Sequence, residues 1–193
     1  MESKIKILEY PEYIDVVVDM QNDFVTGALG TEEARRIVPT VVQTVKDTLS
    51  AGNGVVFTKD THAQEYLATR EGKELPVPHC ICGTPGWDLI PELEEISSEL
   101  GHKYDIAKPT FGAIMLPNLI EKLYGDAIKR GFIRKFRVYG VCTGICVISN
   151  ATILRAAFPE IDIEVIESCC ACVTPESHKN AIQTMKTLQM HVK

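Results

Sequence analysis

Apolar, β-branched runs alternate along the chain with amphipathic stretches, and several of the runs stop at a cluster of polar residues. Tyr13-Ile14-Asp15-Val16-Val17-Val18-Asp19 comes first, and its near-continuous hydrophobicity predicts a strand buried on both faces. Val55-Val56-Phe57-Thr58, His102–Ala107, Lys135–Tyr139 and Ile161–Ile166 read as four more strands. Between them lie segments with apolar residues at helical spacing. Pro39 predicts an N1 position, opening a helix with Val41, Val42, Val45 and Leu49 on one face. Asp88–Leu100, Pro117–Arg130 and Cys146–Phe158 follow in the same way. Thr174-Pro175-Glu176-Ser177 combines an N-cap, a proline at N1 and a first-turn acid, predicting a last helix that runs to about Met190. Strands alternating with helices imply right-handed βαβ units. The expected fold is therefore α/β, one doubly wound parallel sheet with helices on both faces, forming a single domain over 1–193 after a polar lead-in over 1–12.

The polar residues at strand ends matter because open parallel sheets bind ligands beyond the carboxyl ends of their strands. Asp19 heads the cluster Met20-Gln21-Asn22-Asp23-Phe24, and Lys59-Asp60-Thr61-His62 follows the second strand. Lys108-Pro109-Thr110-Phe111 follows the third. After the fourth comes Gly140-Val141-Cys142-Thr143-Gly144-Ile145-Cys146, a tight turn leading into a helix. A cysteine at a helix N-terminus lies beside unpaired N–H groups and the positive end of the dipole, which favours its thiolate. Core packing explains such a cysteine equally well. Residues 63–87 carry little periodicity, and a segment of that length is either functional or disordered; its anchors Tyr66, Leu75 and Trp87 favour the functional kind.

Composition narrows the function classes. The net charge of −6 over 193 residues argues against a nucleic-acid partner. The densest basic group, Arg134-Lys135-Phe136-Arg137, reads as a solvated strand entry. No apolar run approaches the roughly 18 residues that cross a bilayer, nor is there a secretory leader, so no membrane association and a cytoplasmic location are expected. Seven cysteines, an odd number, fit a reduced compartment. Cys80-x-Cys82 and Cys169-Cys170-x-Cys172 match zinc spacings poorly and read as core packing. His178 and His191 fall on the last helix as solvated residues.

Taken together and in order, Asp19 with Gln21-Asn22-Asp23-Phe24, Asp60-Thr61-His62, Lys108-Pro109-Thr110-Phe111 and Gly140-Val141 with Cys146 resemble the isochorismatase-like cysteine hydrolases from Tyr13 to about Met190. Within that family the metal-containing nicotinamidases are the nearest likeness. The resemblance implies the isochorismatase-like hydrolase fold and a catalytic triad of Asp19, Lys108 and Cys146. It also implies a cis peptide at Val141–Cys142 and an oxyanion site made by the backbone N–H groups of Cys142 and Cys146. It implies a single divalent metal, zinc first and manganese or iron otherwise, on Asp60, His62 and His79, with Glu71 beside them. Phe24 and Trp87 would pack on the ring of a small amide, nicotinamide first and carbamoyl or ureido compounds otherwise. Cation and helix end together would hold the Cys146 thiol as its anion. Homo-oligomers are the family's habit. Many nicotinamidases carry Ala and an acidic residue shortly before the nucleophile, where this chain has Cys142, Thr143 and Gly144.

Overall fold

The computed structural model describes residues 5–193, so the first four residues of the expected lead-in lie outside the described residues. Six parallel strands form one sheet in the order β3-β2-β1-β4-β5-β6. They are β1 (Tyr13–Val18), β2 (Gly54–Asp60), β3 (Asp105–Lys108), β4 (Lys135–Val141), β5 (Asp162–Ala171) and β6 (His191–Val192). The helices are α1 (Asn22–Val25), α2 (Glu32–Ser50), α3 (Arg70–Glu74), α4 (Pro91–Glu99), α5 (Leu116–Lys129), α6 (Ile148–Ala157) and α7 (Pro175–Thr187). The central strands β1, β2 and β4 are almost wholly buried, as expected where helices cover both faces of a parallel sheet. Among the described residues no helix is long and apolar enough to cross a membrane.

Several boundaries differ from the sequence expectation, each for a local reason. α2 begins at Glu32, not at Pro39, which sits in the helix interior. The Thr31 side chain accepts the Ala34 N–H, and Glu32 and Glu33 occupy the first turn; this N-cap and the buried face of Val41, Val42 and Val45 outweigh an interior proline's cost of ~3 kcal/mol. β3 starts at Asp105 because His102 adopts a left-handed φ of 53° after Gly101. The helix expected from Asp88 begins at Pro91, its N1 residue. β5 runs on to Ala171, past Glu167 and Ser168, because its register with β4 shifts between Val138–Val165 and Gly140–Cys170; the polar pair sits in that irregularity, where strand patterning fails. α7 ends at Thr187, leaving His191 on the short strand β6 instead of on the helix. The segment 63–87 contains a 3₁₀ turn, Tyr66–Ala68, and the short helix α3, N-capped by Thr69.

Arg137 does not face solvent as a surface charge. Its guanidinium meets the fully buried Asp15 through two bonds of 2.6 and 2.7 Å, and Thr48 and Tyr139 donate to the same carboxylate. Burial pushes the Asp15 carboxyl up, against the opposing pull of Arg137. The network ties β1, β4 and α2 together below the site.

Candidate active site and metal centre

Four neighbouring strands deliver their chemistry to one rim. Lys108 ends β3 opposite Asp60, which ends β2. Asp19 follows β1, and Cys146 lies in the turn after β4. Asp19 adopts φ 51°, a conformation unusual for a residue with a side chain and characteristic of functional sites. β4 approaches β1 so closely that a Cβ on Gly140, at φ 129°, would lie 2.1 Å from the Val18 carbonyl. Glycine is the residue that permits this contact.

Lys108 is 1% exposed and Asp19 fully buried. The lysine Nζ sits 2.7 Å from Asp19 Oδ2, 3.1 Å from Asp60 Oδ1 and 3.5 Å from Cys146 Sγ. Thr58 Oγ1 donates to the other oxygen of Asp19 at 2.5 Å. Burial disfavours the ammonium, but Asp19, Cys146 and Asp60 outweigh it and raise the lysine pKa. Burial likewise raises the Asp19 carboxyl, with Lys108 opposing.

The Cys146 thiol departs from the expected anion. Burial, and after it the Asp19 charge, pushes its pKa well above the ordinary thiol range, with Lys108 pulling the other way. One ammonium shared with two carboxylates does not offset the loss of water. Burial and the Asp19 charge together favour the neutral thiol over its anion. Cys146 belongs to a π-helical turn, Thr143–Val147, that opens into α6. The Val141–Cys142 peptide is cis.

Asp60, His62, Glu71 and His79 each offer one ligand atom, all within 4.8 Å of one another. Asp60 Oδ2 lies 2.9 Å from His62 Nε2 and 3.4 Å from His79 Nε2. Glu71 Oε1 lies 3.8 Å from the first imidazole and 3.9 Å from the second. His79 Nδ1 donates to the Val77 carbonyl at 2.8 Å, which turns Nε2 toward the cluster, where it donates to Asp60 when protonated and can bind a metal when deprotonated. Burial opposes the Asp60 anion, yet hydrogen bonds from His62 and His79 hold its carboxyl low. Two imidazoles and two carboxylates converging at one end of the cavity suit a borderline divalent ion such as zinc, manganese or iron.

Three residues support this centre that sequence patterning did not single out for a role. Gln21, fully buried, clamps Asp60: its Oε1 accepts the Asp60 N–H at 2.6 Å and its Nε2 donates to the Asp60 carbonyl at 2.9 Å. Asp23 accepts the Cys80 N–H at 2.7 Å and so holds the His79 loop. Asn150 donates to the Cys146 carbonyl at 2.8 Å and accepts the Ala113 N–H at 2.9 Å. Each is a polar side chain aimed at distant backbone, a partner that sequence spacing does not reveal.

A cavity of about 370 Å³ opens above Cys146, with Phe24, Phe111 and Ile145 among its apolar walls and Asp60, Glu71 and His79 at its polar end. Phe24 stands beside His79, with ring centroids 5.4 Å apart. Trp87 is not part of this lining. Its Nε1 donates to Thr61 Oγ1 at 2.8 Å, and Lys59 Nζ lies 3.5 Å from its ring centroid. The indole fastens the loop behind the metal cluster, which corrects the expectation that it would stack on a bound ring. His178 is not a freely solvated residue either; its Nδ1 lies 2.9 Å from Thr143 Oγ1.

Comparisons with known proteins identify the fold and the family. The chain superimposes on the nicotinamidase PncA of Bacillus subtilis with a TM-score of 0.76 at 26% identity, covering 94% of this chain and 98% of that one. It also superimposes on the pyrazinamidase of Pyrococcus horikoshii, solved in complex with zinc, at 0.72 and 25% identity, covering 95% and 99%. The N-carbamoylsarcosine amidase of Thermoplasma acidophilum shares the fold at 0.68 and 21% identity, over 94% and 95% of the two chains. No curated protein sequence matches the chain significantly. The isochorismatase domain model matches residues 14–192, and the chain belongs to the isochorismatase family.

Proposed function

We infer that the chain is an amide-hydrolysing enzyme, and we propose that it converts nicotinamide and water to nicotinate and ammonia through a thioester on Cys146. The observation that carries this reading is the buried Lys108 ammonium, 2.7 Å from Asp19 and 3.5 Å from the Sγ of Cys146, which lines a mostly apolar cavity.

Cys146 Sγ attacks the carboxamide carbon while Asp19, which shares the Lys108 ammonium with it, takes the thiol proton. The family likeness assigns the developing oxyanion to the backbone N–H groups of Cys142 and Cys146. Asp19 returns the proton to the leaving ammonia, then accepts one from the water that opens the thioester. Lys108 keeps two nearby carboxylates from repelling each other and the sulfur.

Asp60, His62, His79 and Glu71 would hold a divalent ion, which supplies a Lewis acid at the polar end of the cavity when bound. Phe24 flanks the same end and gives an aromatic ring a face to pack against. A ring anchored there carries its amide toward Cys146, and positioning of that kind is worth several kcal/mol of barrier.

Ammonia release measured over nicotinamide, pyrazinamide and carbamoyl compounds, with metal content assayed on the same sample, tests the proposal. Turnover of the pyridine and pyrazine amides by metal-loaded protein is expected. Release only from carbamoyl compounds would overturn the nicotinamide assignment.

A further inference from the structure

A pair of sulfurs lies in the cavity wall, unused by the chemistry above. Cys142 follows β4 and Cys172 follows β5. Gly140 pairs with Cys170 and Val141 with Ala171, so residues 142 and 172 stand one register step further on. Neighbouring strands run ~4.8 Å apart, inside the Cα separation of about 4.4–6.8 Å that a disulfide spans. The two side chains already face each other: the Cys142 thiol donates to Cys172 Sγ at 2.9 Å, and both residues line the cavity.

We propose that Cys142 and Cys172 form an oxidation site for small hydroperoxides, closing to a disulfide in the cavity wall beside Cys146.

The surroundings of the two sulfurs differ in the way the reaction needs. Cys172 Sγ receives the Cys142 thiol, the Ser177 hydroxyl at 3.3 Å and the backbone N–H groups of Gly144 and Val173. Led by the Cys142 bond, these donors pull its pKa down to about 5, which favours its thiolate. The bond to Cys172, and burial after it, pushes the Cys142 thiol up. One sulfur is the attacking thiolate and the other the proton donor and resolving thiol. Among the described residues no other cysteine combines these features. Burial raises Cys146, Cys169 and Cys170, and Cys80 as well, while Cys82 is exposed and outside the cavity lining.

The step balances with the hydroperoxide as the two-electron oxidant. The Cys172 thiolate attacks one peroxide oxygen, the O–O bond breaks, and Cys172 becomes a sulfenic acid. The departing alkoxide or hydroxide takes the proton from Cys142. The Cys142 thiolate then attacks the sulfenic sulfur, the S–S bond forms, the S–O bond breaks and hydroxide leaves. The two sulfurs lose two electrons and the peroxide gains them.

One equivalent of hydrogen peroxide at pH 6, where ordinary thiols are almost wholly protonated, followed by acid quench and peptide mapping, tests this. The cross-linked peptide pair containing residues 142 and 172, two hydrogens lighter than its reduced form and restored by dithiothreitol, is expected in wild type and in Cys146→Ala. It should be absent in Cys172→Ser. Oxidation confined to other cysteines, with 142 and 172 both still reduced, would overturn the proposal. The readout is mass and not turnover, so its outcome is independent of the amidase reading.

Discussion

The Lys108 ammonium lies 2.7 Å from the Asp19 carboxylate, with both side chains closed off from solvent. An ion pair taken out of water is held by its partners, and deleting one of them strands the other charge. Lys108→Met leaves Asp19 and Asp60 facing each other without a cation, so it should cost about 3–5 kcal/mol of stability as well as activity. Asp19→Asn keeps the volume and removes the base; kcat should fall by about 10²–10⁴. Urea melts and steady-state kinetics on the two variants check the difference. A stable, active Lys108→Met protein would contradict this account of the pair.

The raised Cys146 thiol pKa carries a direction in pH. A thiol that is protonated throughout the neutral range gains thiolate about tenfold per pH unit. Alkylation of Cys146 by iodoacetamide should therefore accelerate steadily from pH 6 to 8 without a plateau, as followed by mass spectrometry of the peptide carrying residue 146. A rate already level at pH 6 would mean a preformed thiolate.

Ligand geometry at Asp60, His62, His79 and Glu71 predicts about one divalent ion per chain, bound to the folded state alone. Such an ion stabilises the fold by mass action. Adding zinc to chelated protein should raise the Tm, and His79→Ala should abolish the rise, as read by differential scanning calorimetry. An unchanged Tm in the chelated wild type would remove the metal centre from the account.

Phe24 and Trp87 should separate in kinetics because only the former lines the cavity. Phe24→Ala removes an apolar wall and should raise KM for the amide by about tenfold, the loss of ~1.4 kcal/mol of contact. Trp87→Phe should leave KM within about twofold. Equal effects at both positions would return the indole to the substrate.

Long-period features were legible in the chain; long-range polar contacts were not. The β-branched runs ending at Asp19, Thr58 and Tyr139 located the central strands, because a strand buried on both faces leaves an unbroken apolar record. Polar clusters at strand ends located Asp19, Asp60, His62 and Lys108, the turn after the fourth strand located Cys146, and the family likeness gave them roles and added His79; the fold brings these residues to the same rim. Pro39 misled because a local rule about N1 prolines met a stronger cap eight residues upstream, at Thr31. Arg137 read as solvated since nothing in its neighbourhood announces Asp15, 122 positions away in sequence. Gln21 clamps Asp60 across 39 positions, and such contacts exist only once the strands are side by side. The thiol state of Cys146 likewise depends on how two carboxylates share one lysine, a balance of burial and charge that residue spacing cannot express.

Acid quench of the protein during nicotinamide turnover, followed by mass spectrometry of the peptide containing residue 146, tests the central assignment most directly. A nicotinoyl group on Cys146, absent in Cys146→Ala along with at least about 10³-fold of kcat, is the predicted result. Undiminished ammonia release by Cys146→Ala would contradict it.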